Sequence, residues 1–241
     1  ADQRITCWYS APSILSLLAQ YGKLDGYDYS ALRLVLFAGE VFPVKHLRTL
    51  TKLLPAPEYF NLYGPTETNV CTFYQVSLPI PDERSVPFPI GKVCSHLEAR
   101  VLDDRGRELS RGDEGELCIA GRGVMQGYWS LPEQTARAFH KDESGRRWYK
   151  TGDIVVEAPD GDYTYLGRRD RMIKRRGYRV ELGEIEAGLY RHPSVKEAAV
   201  VAVADEEAGH RVKAFLSCRD AKHPSLVQMK GFCAQDLPLY M

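Results

Sequence analysis

Residues 59–68 read Tyr59-Phe60-Asn61-Leu62-Tyr63-Gly64-Pro65-Thr66-Glu67-Thr68. Tyr59–Leu62 has the length and aromatic content of a short strand. Gly64-Pro65 then turns the chain, and polar side chains follow at once. Where strands and helices alternate, ligands sit at the carboxyl ends of strands. Thr66 offers a hydroxyl and Glu67 a hard carboxylate, oxygens that suit Mg²⁺ or a phosphate edge. Tyr63 offers a flat face on which a base can stack. Taken alone, the stretch also reads as a β-turn with polar surface residues.

Working outward, the flanking sequence does alternate. Ile5–Tyr9 is strand-like, and Pro12 suits the first turn of a helix running to about Gln20 and closed by Gly22. Leu32–Phe37 is a short apolar run that fits a buried parallel strand, ended by Gly39-Glu40. Pro43 opens a second helix through about Leu53. Residues 1–80 therefore read as part of an α/β layer. Pro79, Pro81, Pro87 and Pro89 punctuate a loop. Period-two segments follow at Glu98–Asp103, Gly115–Ala120 and Tyr163–Leu166, with turns at Asp104-Arg105-Gly106 and Asp160-Gly161 and a short helix at Leu131–Ala138. Residues 81–168 read as a small antiparallel, β-barrel-like subdomain. Residues 169–241 read as a small α+β domain: a basic loop, a helix over Gly183–Tyr190, strands at Ala198–Val203 and Val212–Leu216, and a helix over Leu226–Ala234.

Composition narrows the function classes. Of 241 residues 44% are apolar, enough for a sizeable core. Lys+Arg and Asp+Glu stand at 32 each, so no excess of positive charge favours nucleic acid or an anionic membrane. The six cysteines show neither C-x-x-C spacing nor a zinc pattern, as expected of thiols in a reducing cytoplasm. No apolar run approaches 18 residues, and the start carries no signal-peptide pattern. The sequence opens in a strand without Met, so the expectation is that Ala1 is not a natural start.

Two further stretches carry polar chemistry. In Trp148-Tyr149-Lys150-Thr151-Gly152-Asp153, an Asp beside a Gly in a tight loop can accept two hydrogen bonds from a vicinal diol, or can form a simple Asx turn. Residues 167–186, from Gly167-Arg168-Arg169-Asp170 through Gly177 to Val180-Glu181-Leu182-Gly183-Glu184-Ile185-Glu186, hold seven basic residues in twelve positions. A solvated hairpin, a nucleic-acid patch and a loop beside a phosphate-bearing ligand all fit that charge run, and the zero net charge disfavours nucleic acid.

These stretches occur in one order, with Gly115-Glu116-Leu117-Cys118-Ile119-Ala120-Gly121-Arg122-Gly123-Val124-Met125-Gln126-Gly127-Tyr128 between them. Together they resemble the ordered core motifs of amino-acid adenylation domains, within the adenylate-forming superfamily of acyl-CoA ligases and luciferases. The resemblance spans nearly the whole chain. It implies the adenylate-forming fold in part, ATP and Mg²⁺ as cofactors, an amino-acid substrate, and a phosphopantetheinylated peptidyl carrier protein as partner. On this resemblance Tyr63 stacks on adenine, Thr66 contacts phosphate and Glu67 is the Mg²⁺ ligand. Gly39, Glu40 and Val41 line the adenine pocket. Asp153 holds both ribose hydroxyls with Tyr165 nearby, and Arg168 reaches ribose and phosphates. Asp170 is the hinge of a mobile C-terminal domain, and Gly177 lines the pantetheine tunnel.

The Gly- and Ser/Thr-rich phosphate loop and the C-terminal lysine of the family are not in this sequence, which ends at the similar Leu237-Pro238-Leu239-Tyr240-Met241. The expectation is a fragment that does not adenylate at a useful rate by itself. Six residues match the family's substrate-pocket positions: Tyr9, Leu36, Ala38, Leu62, Val70 and Cys71. None is charged, so the pocket should take a compact apolar side chain, because an unpaired buried charge is costly. The set resembles that of stand-alone ligases that load L-proline onto a carrier protein. An aryl- or acyl-CoA ligase and an inactive docking or nucleotide-binding module are the alternatives.

Overall fold

In the computed structural model of this chain, residues 3–169, 172–175, 178–205, 209–219, 223–238 and 240 are described. They fall into two compact units, Ala1–Arg169 and Asp170–Met241.

The first unit begins with strand–helix–strand crossovers. Strands β1 (Cys7–Ser10), β2 (Leu34–Ala38) and β3 (Glu58–Tyr63) pair in parallel. Helices α1 (Pro12–Tyr21) and α2 (Val44–Leu53) make the connections. Pro12 sits in the first turn of α1, where a missing N–H costs nothing. The N-cap residue, Ala11, has no side chain that can cap; Glu40 does it instead, its Oε2 accepting from the backbone N–H of Ser13 at 2.9 Å. A carboxylate there also meets the positive end of the helix dipole. β1 starts two residues later than the sequence indicates, because Thr6 spends its carbonyl on the N–H groups of Arg33 and Leu34 before the ladder begins.

Period two sorts the strand residues. Val35, Phe37 and Tyr59 join Leu15 of α1 and Leu47 and Leu50 of α2 in one buried core. Two antiparallel strands, β4 (Thr72–Val76) and β5 (Lys92–Val93), complete the order β1-β2-β3-β4-β5.

The second sheet of this unit contains β6 (Leu97–Leu102), β7 (Glu114–Gly121), β8 (Phe139–Lys141), β9 (Arg147–Glu157) and β10 (Tyr163–Arg168). Helix α3 (Pro132–Ala138) precedes β8. The strand order is β10-β9-β7-β6, with β8 on β9. This corrects the barrel-like expectation: among the described residues the sheet is open. The outer edge of β10 is taken by residues 90 and 91, with Ile90 N donating to Tyr163 O at 2.8 Å and Tyr163 N to Gly91 O at 2.9 Å, so β6 and β10 do not meet. The segment Trp148–Asp153 is likewise no tight loop. It lies inside the eleven-residue strand β9, where β7 pairs with Tyr149 and Lys150, β8 with Trp148 and Tyr149, and β10 with Asp153.

The second unit has a short hairpin of β11 (Met172–Arg175) and β12 (Tyr178–Glu181), where the sequence reads a basic loop leading to Val180. Helix α4 (Leu182–Tyr190) follows, then the long hairpin β13 (Val195–Asp205) and β14 (Gly209–Cys218), and α5 (Leu226–Asp236). Val180, Leu182, Ile185, Leu189, Val195, Val200 and Met229 form its core. Ser225 and Gln228 close a capping box at the start of α5. Among the described residues no helix is long and apolar enough to cross a membrane.

Leu47 is fully buried between α2 and the first sheet. Leu47→Ala is expected to cost about 2–5 kcal/mol by transfer and cavity formation. Urea unfolding should show the loss in the transition of the first unit.

Candidate active site

Three strands converge on one buried carboxylate. Asp153, 0% exposed, sits on β9. Tyr63, the last residue of β3, donates its hydroxyl to Asp153 Oδ2. Arg168, the last residue of β10, lies directly opposite Asp153 in the β9–β10 register, and its Nη1 meets Oδ1 at 3.1 Å. The same nitrogen donates to Thr151 O at 2.5 Å. Thr151 Oγ1 accepts from Asp153 N at 3.1 Å and donates to Leu117 O at 2.7 Å, which ties the segment to β7. A buried ion is tolerable only when paired and hydrogen-bonded in this way.

A bulge makes the display possible. Residues 116 and 118 of β7 face residues 154 and 150 of β9, so β9 carries two extra residues there. Gly152 occupies the bulge at φ +72°, and a Cβ on it would lie 2.6 Å from Arg168 Nη2. Its N–H donates to Glu116 Oε1 at 2.8 Å.

The loop after β3 is closed by Cys71 N donating to Tyr63 O at 2.8 Å. Gly64 is required there, since a Cβ would sit 1.7 Å from Asn69 O. Thr66 is exposed and Glu67 is buried. Tyr128 donates its hydroxyl to Glu67 Oε1 at 2.7 Å, and Met125 N donates to Glu67 O at 2.7 Å.

The other sequence-derived residues are placed as follows. Gly39, at φ +94°, and Val41 are exposed after β2, and between them the Glu40 side chain turns to α1. Tyr165 packs partly buried against the core that contains Tyr63, Leu117 and Val155. In the sheet registers Tyr9 faces Leu36 and Ala38 faces Leu62, on the sheet side opposite Val35 and Phe37. That side is open: Tyr9 is 61% exposed. Val70 is half-buried in the loop, while Cys71 is fully buried in the Tyr63 core. Asp170 and Gly177 lie outside the described residues. The structure thus joins Tyr63, Asp153 and Arg168 in direct contact. It adds Glu116, Tyr128 and Thr151, to which the sequence assigns no role. Glu116 and Tyr128 stand in the motif at 115–128, and that motif was the available signal.

The profile of AMP-binding enzymes matches residues 1–129, and that of the AMP-binding enzyme C-terminal domain matches residues 184–241. The chain belongs to the AMP-binding enzyme family. Among relatives of this family member is a ligase of L-proline with the L-prolyl-carrier protein from Streptomyces coelicolor, 45% identical over 240 residues, covering 99% of this chain and 44% of the relative. A protein of the same name from Pseudomonas fluorescens is 44% identical over 240 residues, covering 100% of this chain and 46% of the relative. The crystal structure of IdnL1 superposes with a TM-score of 0.88 at 30% identity, covering 99% of this chain and 49% of that one. The chain thus spans about half the length of the curated relatives it matches. Its fold is that of the adenylate-forming enzymes.

Burial, and then the charge of Asp153, push the Tyr63 phenol well above its ordinary value of 10. Burial, and then Glu157, push Tyr163 up to about 12. Both phenols hold their protons more tightly folded than unfolded. Their contribution is therefore complete below about pH 10 and is lost as pH rises through the folded values. The urea midpoint should stay level up to about pH 10 and fall above it, with a shallower fall in Tyr63→Phe. An unchanged slope in that variant would remove Tyr63 from the account.

Proposed function

We propose that this chain belongs to a ligase that uses ATP to activate an amino acid, L-proline, as its aminoacyl adenylate and then loads the acyl group onto the phosphopantetheine thiol of a carrier protein. The observation that carries the reading is the near-complete coverage of this chain by two relatives named as ligases of proline with a carrier protein. The site geometry supports it. Asp153 presents two carboxylate oxygens, each with a lone pair beyond its present bond, to a vicinal diol such as ribose. Because Asp153 is fully buried, the diol reaches it when Arg168 leaves Oδ1 and turns toward the phosphates. Tyr63 then offers its ring to adenine, with Gly39, Glu40 and Val41 along the pocket and Tyr165 beside the ribose.

The chemistry asks for alignment and charge neutralisation more than for covalent help. A substrate carboxylate oxygen attacks the α-phosphorus of ATP, and the bond to pyrophosphate breaks. The thiol sulfur then attacks the acyl carbon, the bond to AMP breaks, and the thiol proton is released. Arg168 and the Thr66 hydroxyl serve the phosphates. For Mg²⁺ the donor chemistry fits: Glu67 is a buried hard carboxylate, next in sequence to the exposed Thr66, and this ion is commonly held by one or two carboxylates together with substrate phosphates. Bound there, Mg²⁺ would neutralise phosphate charge. Tyr128 fixes the Glu67 carboxylate through Oε1. Tyr9, Leu36, Ala38 and Leu62 on the open side of the first sheet, with Val70 in the loop after β3, offer an uncharged wall to the proline ring, and the buried Cys71 supports it from the Tyr63 core. Asp170 serves as hinge and Gly177 as tunnel lining.

Amino-acid-dependent ATP–pyrophosphate exchange, run on the protein expressed from its complete gene with a panel of amino and aryl acids, should peak with L-proline. A peak at another amino acid keeps activation and discards the pocket assignment. No exchange with any acid overturns the function. In the same assay Glu67→Gln should lower turnover on the order of a hundredfold and raise the Mg²⁺ requirement.

A further inference from the structure

Glu116 is a carboxylate in the interior of β7, only 6% exposed. A hydrocarbon would fill that strand position at no desolvation cost, whereas a buried charge needs partners. Its two carboxylate oxygens each contact a segment that carries the site. Oε1 accepts from Gly152 N at 2.8 Å, and Oε2 meets Arg169 Nη1 at 3.3 Å. Arg169 N in turn donates to Gly152 O at 2.7 Å. Gly152 is therefore held at both its N–H and its carbonyl, and the Glu116–Arg169 pair closes the ring. Arg169 also reaches Asp104 at 2.9 Å, but that aspartate is 90% exposed, and such surface pairs contribute little.

The clamp sits on the residue that immediately precedes Asp153. Gly152 is in a left-handed conformation inside a two-residue bulge, where the β7 ladder supplies no regular partner for its N–H. Glu116 supplies that acceptor. The successive residues Arg168 and Arg169 take opposite parts of the assembly, one gripping the Asp153 carboxylate and the other the Glu116 carboxylate.

We propose that Glu116 is a positioning residue: by clamping the Gly152 bulge between β7 and Arg169, it fixes the orientation of the Asp153 carboxylate toward a ribose diol. The proposal rests on the reading of Asp153 as the ribose ligand. It assigns Glu116 no contact with the nucleotide itself.

The test is a binding comparison by calorimetry, on the protein expressed from its complete gene, between AMP and its analogue lacking both ribose hydroxyls. Glu116→Ala should weaken AMP by about tenfold or more, the cost of an unmade buried hydrogen bond, and leave the analogue unchanged. Glu116→Gln keeps an acceptor for Gly152 N–H and should hold AMP within about threefold of the unaltered protein. Glu116→Asp withdraws the acceptor by one methylene and is the variant to read if the alanine protein does not fold. It should weaken AMP by about three- to tenfold and, again, not the analogue. Equal weakening of both nucleotides would mean a merely structural role and overturn the proposal, as would unchanged AMP binding in the alanine or aspartate variant. If the unaltered protein binds the two nucleotides equally well, the ribose assignment of Asp153 falls, and the role of Glu116 falls with it.

Discussion

A carboxylate sealed from water must find hydrogen-bond donors within the protein, and Asp153 draws its donors from two different sheets. The phenol comes from the carboxyl end of β3 and the guanidinium from the end of β10, while the Thr151 hydroxyl on β9 accepts from the backbone N–H of Asp153. Arg168 shares a sheet with Asp153, but the Tyr63 phenol could not reach the carboxylate if the two sheets of the first unit were displaced by the length of a hydrogen bond. The buried ion thus acts as a positional constraint on the parallel layer and the antiparallel sheet together. The Tyr63 ring belongs to the same core as Leu117 and Val155, so apolar packing and the polar contact locate the same atoms.

The two sheets serve the site in different ways. The parallel strands deliver residues by their ends: β2 runs out at Gly39-Glu40 and β3 at Tyr63. Ends are where the backbone leaves the ladder and side chains can turn to a ligand. The antiparallel sheet delivers its residue from a strand interior, at Asp153, by breaking the ladder locally. An interior position is rigid because strands flank it on both sides, and rigidity suits a group that must keep its charge buried and oriented.

Helices announced themselves in the sequence through punctuation. Pro12, Pro43 and Pro132 mark three starts, and the apolar spacing fills in the rest. The alternation of β2, α2 and β3 was equally plain, and with the motif order it indicated the fold. Strand β9 was not legible, because Gly152-Asp153 has the signature of a turn and only the flanking strands reveal it as a bulge. For the same reason the barrel-like expectation failed: which edge β10 offers to residues 90 and 91 depends on long-range pairing that no local pattern encodes. The residue types of the site were visible as motifs, but their contacts were not. Tyr63 and Asp153 are 90 positions apart, and Glu67 and Tyr128 are 61 apart. Asp153 and Arg168 face one another only because the β9–β10 register puts them there.

The bulge in β9 contains an even number of extra residues, and side chains on a strand alternate with a period of two. Tyr149, Thr151, Asp153 and Val155 are all buried, so the inward–outward phase runs through the interruption unbroken. A single-residue insertion would have turned everything beyond it inside out. Two residues leave the rest of the strand where an uninterrupted ladder would have it. The site is therefore a cassette in the grammar of insertions and deletions: it can be gained or lost in a paired step while the sheet around it keeps its sides.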